Sequence, residues 1–173
     1  MIRRATPDDA ALLHDVAADT FALACPPQTT AVSIDHFIRT HLSTEAFAGY
    51  LADPERELFL SETDGVVSGY TMVVFGEPTD PDVAASVTAR PTAELSKVYV
   101  RAEFHGTGIA AGLVDASIAA ARGRGCVGVW LGVNQQNERA NRFYEKCGFV
   151  VVGAKKFTVG DGVEDDFVLI NVF

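Results

Sequence analysis

The sequence predicts a single α/β domain, with a mixed, mostly antiparallel sheet of about seven strands flanked by about four helices. Three observations carry this expectation. Apolar residues recur at helical spacing in the first third of the chain, change to strand-like runs from about residue 57, and then alternate strand–helix–strand–helix before two closing strands. The length of 173 residues suits one core that buries about 70 % of the unfolded surface. No repeat, low-complexity tract or linker divides the chain, so residues 1–173 read as one unit.

Taken in order, Ile2-Arg3-Arg4 is a short extended start. Thr6 suits a helix cap, Pro7 its first position and Asp9 the third, where a carboxylate favours the helix dipole. Leu12, Leu13, Val16, Phe21 and Leu23 supply an apolar stripe to about Ala24, and Pro26-Pro27 stop the helix. A second helical stretch opens near Ser33-Ile34-Asp35 and runs to Tyr50-Leu51, with a break at Ser43-Thr44-Glu45. Glu57–Glu62 and Val66–Phe75 read as strands joined by Thr63-Asp64-Gly65, in which Asp-Gly is a hairpin signal. Gly76 to Thr92 holds three prolines and many small or polar residues, and is read as a long loop.

Glu94–Val100 is a third strand, and Gly108–Arg124 a helix with Ile109, Leu113 and Ile118 as buried candidates. Val127 to Val133 is a nearly continuous apolar run, as expected of a strand covered on both faces. A helix over about Glu138–Lys146 stops at Gly148. Strands near Phe149–Thr158 and Asp165–Phe173 close the chain through Gly160-Asp161-Gly162.

Composition excludes several functional classes. A net charge of −9 argues against nucleic acid, whose phosphates need a basic surface, and is compatible with cationic ligands. No apolar run reaches the ~18–20 residues of a membrane span, and the N-terminus lacks a signal-peptide core. Cys25, Cys126 and Cys147 form no CxxC and are odd in number, so neither a disulfide framework nor a metal site is expected. Cys126 is expected to be buried and Cys147 to serve packing. The setting this implies is cytoplasmic.

The informative junction runs from Leu95 to Ala110. A strand enters a turn bearing Gly106 and Gly108, and the turn opens directly into a helix. Glycine lets the backbone approach a ligand closely, and the free N–H groups and dipole of a helix start attract an anion such as a pyrophosphate. The turn is neither a Walker A loop nor a dinucleotide fingerprint, because alanine stands at Ala111 where the third glycine belongs.

Val98-Tyr99-Val100 followed by His105-Gly106-Thr107-Gly108-Ile109-Ala110 resembles the Q/R-x-x-G-x-G/A motif of the GNAT superfamily of N-acetyltransferases. Asn137-Glu138-Arg139-Ala140-Asn141-Arg142-Phe143-Tyr144-Glu145-Lys146-Cys147-Gly148-Phe149 is similar to that family's N-x-x-A-x-x-F-Y-x-x-x-G-F block. His105 departs from the usual Gln or Arg. The resemblance implies the family's fold and direct transfer of acetyl from acetyl-CoA to an amine, without a metal. It implies that the backbone of Val98, Tyr99 and Val100 pairs with the pantetheine arm, that the turn from His105 to Ala110 holds the pyrophosphate, and that Asn137 bonds the pantetheine. It also implies that the strands ending near Val100 and Asn134 splay apart to admit that arm.

By the same resemblance Tyr144 gives a proton to the departing sulfur, a role suited to a phenol that stays protonated at pH 7. Relatives carry a glutamate base where this chain has Gly132, which leaves Glu94 as the candidate base and Glu77 as a weaker one. Asp19-Thr20-Phe21, Trp130 to Val133, and Gly153-Ala154 with Phe157, Gly160-Asp161 and Asp166 to Leu169 are similar to Pai-type spermidine/spermine acetyltransferases. Glu77, Asp80, Asp82 and Glu94 suit a polycation. A small-molecule polyamine is therefore the expected acceptor, with peptide or protein amino groups as the alternative; a homodimer is compatible. A non-catalytic acetyl-CoA sensor is the alternative of another class. The retained Tyr144 argues against it.

Overall fold

The computed structural model describes residues 1–173. β1 (Ile2–Arg4) leads through a 3₁₀ turn at Pro7–Asp9 into α1 (Ala10–Ala24). The Asp9 carboxylate accepts the Thr6 N–H at 2.7 Å and pairs with Arg3 at 2.8 Å, tying strand to helix. Hydrogen bonding to Arg3 holds the Asp9 carboxyl down at about 2. α1 buries Leu13, Val16, Ala17, Thr20 and Phe21, spaced for one face. Leu12 and Leu23, expected in that stripe, lie on the exposed side.

The break expected near Ser43 is real: α2 (Ala31–His41) and α3 (Thr44–Ala52) are separate helices, and the Ser43 hydroxyl accepts the Ala46 N–H at 3.0 Å as the cap of the second. β2 (Arg56–Thr63) and β3 (Val66–Phe75) form the hairpin, with Asp64 and Gly65 both at positive φ as the turn requires. The stretch from Gly76 to Thr92 corrects the sequence reading. It contains α4 (Pro81–Ser86), started by Asp80, whose carboxylate accepts the Asp82 N–H at 2.9 Å. With the N-terminal stretch divided in two, the α-helices number six rather than four.

β4 (Thr92–Val100) passes through a 3₁₀ turn at Ala102–Phe104 into α5 (Ile109–Gly123). β5 (Gly128–Asn134), α6 (Glu138–Lys146), β6 (Val150–Val159) and β7 (Gly162–Val172) complete the chain. The sheet order is β1-β2-β3-β4-β5-β7-β6, antiparallel except between β4 and β5. α5 and α6 cover one face through a core of Val73, Leu95, Val114, Leu131, Phe149 and their neighbours. α1, α2 and α3 cover the β2–β4 side of the other face, and α4 covers Trp130, Val168 and Ile170. Of the helix positions expected inside α5, Leu113 is buried and Ile109 and Ile118 are half-buried. Cys126 and Cys147 are also half-buried. No helix is long and apolar enough to cross a membrane.

Candidate active site

β4 and β5 are paired only at Thr92–Gly128, Ala93–Val129 and Glu94–Trp130. Beyond Glu94 the two strands part, while each keeps its other neighbour, β3 or β7. The fork therefore opens within β4 after Glu94 and leaves the β5-facing edge of the strand's last six residues, Leu95 to Val100, without a strand partner. Backbone N–H and C=O groups on such an edge are available to an extended ligand arm.

Ser96 is the reason β4 changes direction. Met72 pairs with Lys97 and Val73 with Leu95, so Ser96 is an extra residue in the ladder with β3. The bulge also restores Glu94 and Lys97 to one face, whereas an unbroken strand would set positions three apart on opposite faces. Both line the cleft at the fork. Burial pushes the Glu94 carboxyl up from its ordinary value, against the pull of Lys155 and Lys97. Burial likewise brings the Lys97 ammonium down to about 8, with Glu94 opposing. Each group thus sits in a site that disfavours its charge and is partly compensated by the other.

The turn before α5 places Gly106 at φ 77° and Gly108, the helix cap, at φ 86°. The first amide of this stretch to find a partner is that of Gly112, which donates to the Gly108 carbonyl at 3.1 Å; those from Gly106 to Ala111 donate to no group of the chain. A run of free, convergent N–H groups at a helix start is an anion-binding arrangement. His105 does not point into it. Its Nε2 donates to the Val100 carbonyl at 2.8 Å, and its Nδ1 faces the Arg139 guanidinium.

Asn137 caps α6, its side-chain oxygen accepting the Ala140 N–H at 3.2 Å, and lines the cleft between β5 and α1. Tyr144, two turns on, is 8 % exposed; its ring packs edge-on against Phe149 at 5.8 Å while the residue lines the same cleft as Glu94. Burial raises its phenol well above the ordinary value. A shallower groove adjoins, sharing Ala24, Cys25, Pro26, Asn134 and Asn137 with the cleft and reaching His105 and Arg139. The fork, Tyr144 and Asn137 therefore adjoin a groove that reaches Ala102 and His105, at the start of the turn before α5.

The carboxylates singled out in the sequence separate in space. Glu94 lines the cleft, but Glu77 pairs with Arg90, Asp80 caps α4, and neither they nor Asp82 reach it, because α4 lifts that segment over Trp130. In their place β7 contributes Asp166 and Glu164, and β6 contributes Lys155 and Phe157. Phe21 and Phe37, stacked at 4.4 Å, wall the side formed by α1 and α2. Phe21, Phe157 and Asp166 fall in the segments that resemble the Pai-type enzymes, but no local sequence pattern places them in the cleft.

Residues 19–149 match the sequence model of the acetyltransferase (GNAT) family. The chain belongs to that family. As a GNAT protein it is 43 % identical over 163 residues to an uncharacterized N-acetyltransferase of Mycobacterium tuberculosis, covering 94 % of this chain and 97 % of the relative. It is 27 % identical over 164 residues to one from Lactobacillus delbrueckii subsp. lactis, covering 94 % and 89 %. It is an acetyl-CoA-dependent N-acetyltransferase. The GNAT fold is shared with the PaiA N-acetyltransferase of Thermoplasma acidophilum in complex with coenzyme A, at TM-score 0.78 and 20 % identity over 100 % of this chain and 98 % of that one. The ribosomal-protein-S18-alanine N-acetyltransferase of Escherichia coli has TM-score 0.70 and 18 % identity, with coverage of 99 % and 92 %.

Proposed function

We propose that this GNAT enzyme acetylates a primary amine of a polyamine such as spermidine or spermine, with Tyr144 as general acid and Glu94 as general base. The observation that carries the reading is the cleft at the fork, where an unpaired strand edge, a buried phenol and a half-buried carboxylate with a raised pKa share one cavity. Acetyl-CoA supplies an activated acetyl group as a thioester. The free β4 edge from Val98 through Tyr99 to Val100 suits its pantetheine amides, with Asn137 opposite. The amides from Gly106 through Thr107 and Gly108 to Ile109, Ala110 and Ala111 suit its pyrophosphate. The His105 ring orders this turn from behind, through the Val100 carbonyl and Arg139.

In this arrangement Glu94 takes a proton from the incoming ammonium, directly or through water. A carboxyl raised by burial is closer to the working pH and a better base than an exposed one. An amide of the β4 edge stabilises the developing oxyanion. The neutral amine attacks the thioester carbonyl, the N–C bond forming as the C–S bond breaks; Tyr144 gives its proton to the departing sulfur and is restored by the second proton that leaves the nitrogen. The acceptor side favours an organic cation: Glu94, Glu164 and Asp166 line it, with the rings of Phe21, Phe37 and Phe157.

Amino groups of peptides or protein N-termini are the second reading, favoured by Lys97 and Lys155 in the same cleft, which suit the carbonyl or carboxylate groups of a peptide. Release of free CoA thiol across spermidine, spermine, short peptides and amino acids, with Tyr144→Phe beside the wild type, tests both. Turnover of the polyamines alone supports the first reading; turnover of peptides alone replaces it. Binding of acetyl-CoA with no acetyl transfer to any amine would mark a sensor instead.

A further inference from the structure

One buried carboxylate of the acceptor side takes no part in the proton transfers above. Asp166 on β7 is 6 % exposed and lines the cleft beside Asn134, its partner on β5. No N–H or O–H of the chain donates to it. Its ionic neighbour is Lys155 on β6, whose Nζ lies 3.9 Å from Oδ2. A buried carboxylate ordinarily collects hydrogen bonds, because an unsatisfied charge in a dry site is costly. Here burial pushes the carboxyl up to about 6, against the pull of Lys155. That state is expected of a group waiting for a cation from outside.

Gly132 keeps this carboxylate open to the cleft. A Cβ at position 132 would lie 3.3 Å from Asp166 Oδ2 and 3.3 Å from Lys155 Cδ, so a larger residue on β5 would crowd both. Lys155 shows what the place accepts. Its ammonium lies between the Asp166 carboxylate and the Phe157 ring, 5.5 Å from the ring centroid, and a carboxylate with an aromatic face attracts an organic ammonium. The grip is loose, because a charge-assisted hydrogen bond spans about 2.7–2.9 Å and this contact is 3.9 Å. Nζ is otherwise held by the Lys156 carbonyl at 3.3 Å.

We propose that Asp166 and Phe157, at the opening left by Gly132, form a second ammonium subsite that takes the acceptor's non-reacting ammonium in exchange for Lys155. The inference rests on the polyamine reading and deepens it: the ligand is a diamine or longer polyamine, with one amine at Glu94 and the next at Asp166. The spacing agrees. Glu94 lies opposite Trp130, and Gly132 is two residues further along β5, roughly 7 Å at the rise of an extended strand, the reach of a short diamine.

Calorimetric titration of the CoA-loaded protein with putrescine and with n-butylamine tests this without needing turnover. The wild type is expected to bind putrescine about tenfold more tightly than n-butylamine, the worth of one charged hydrogen bond. Asp166→Asn is expected to erase that preference, and Lys155→Met to tighten putrescine severalfold by removing the internal competitor. Equal binding of the two amines by the wild type, or a preference unchanged in Asp166→Asn, overturns the subsite. Should Asp166→Asn not fold, unchanged or weaker putrescine binding by Lys155→Met overturns it equally. Binding with the expected dependence on Asp166 but no acetyl transfer to polyamines would leave the subsite standing and remove the acceptor reading.

Discussion

Glu94 and Lys97 are three residues apart on β4 yet face the same side of the sheet, because Ser96 is an extra residue opposite β3. The bulge both turns β4 away from β5 and brings a carboxylate and an ammonium into one cleft. Their pKa values move in opposite directions from the same cause, burial. A carboxyl and an amine that share a dry site are each kept closer to neutral pH than they would be in water.

Glu94→Gln is expected to lower kcat/KM for the acetylated amine by about 10²–10⁴-fold, the usual worth of a general base. The base works only when deprotonated, and burial raises its pKa, so the rising acid limb of kcat/KM should lie above the ordinary carboxylate range. Lys97 pulls the Glu94 pKa down. Lys97→Met should therefore move that limb to higher pH. A limb that stays in place in this variant would assign it to another group.

Lys97 also predicts a pH dependence of stability. Its ammonium falls from 10.5 to about 8 in the fold, so between those values the unfolded chain binds a proton that the folded chain has lost. Unfolding free energy should then climb as pH rises from about 8 to about 10.5. Urea midpoints across that window measure the climb, and Lys97→Met should flatten it.

Tyr144→Phe keeps the packing with Phe143 and Phe149, since the hydroxyl makes no hydrogen bond within the chain. Loss of the phenolic proton should lower kcat by about a hundredfold, while calorimetric CoA affinity and the thermal midpoint stay close to wild type. Retention of kcat would reduce Tyr144 to an aromatic anchor.

Gly108→Ala tests the turn. Position 108 sits at φ 86°, where a Cβ costs roughly 1–2 kcal/mol, and relief of that strain would swing the free amides out of line. CoA affinity should drop by at least tenfold. Gly125, at φ 82° near the far end of α5, is the control: Gly125→Ala should cost similar stability without weakening CoA.

Much of the architecture was legible because its signals are local. The helix read over about Glu138–Lys146 with a stop at Gly148 matches α6, and Asp64-Gly65 foretold the β2–β3 hairpin. The helix α4 was missed although Asp80-Pro81 is a start signal, because the prolines around it outweighed a six-residue element. Leu12 and Leu23 read as part of the inward stripe yet lie exposed, because apolarity alone does not fix which side of a helix meets the sheet. Glu94 was legible as a cleft residue by its place at a strand start. Asp166 and Lys155 were not, since they meet the cleft only through the pairing of β7 with β5 and β6.

By itself the sequence determined the order of strands and helices, the glycine turn before α5 and the family, all of which rest on residues near one another in the chain. The tertiary structure decided where the sheet forks, which carboxylates share the cleft, and that His105 turns back toward Val100 and Arg139. Those depend on register: one extra residue at Ser96 changes which face each later side chain of β4 presents, and the strand order brings β7 and β6 up beside β5. Such contacts are set by hydrogen-bond ladders between distant segments, and no local pattern encodes them.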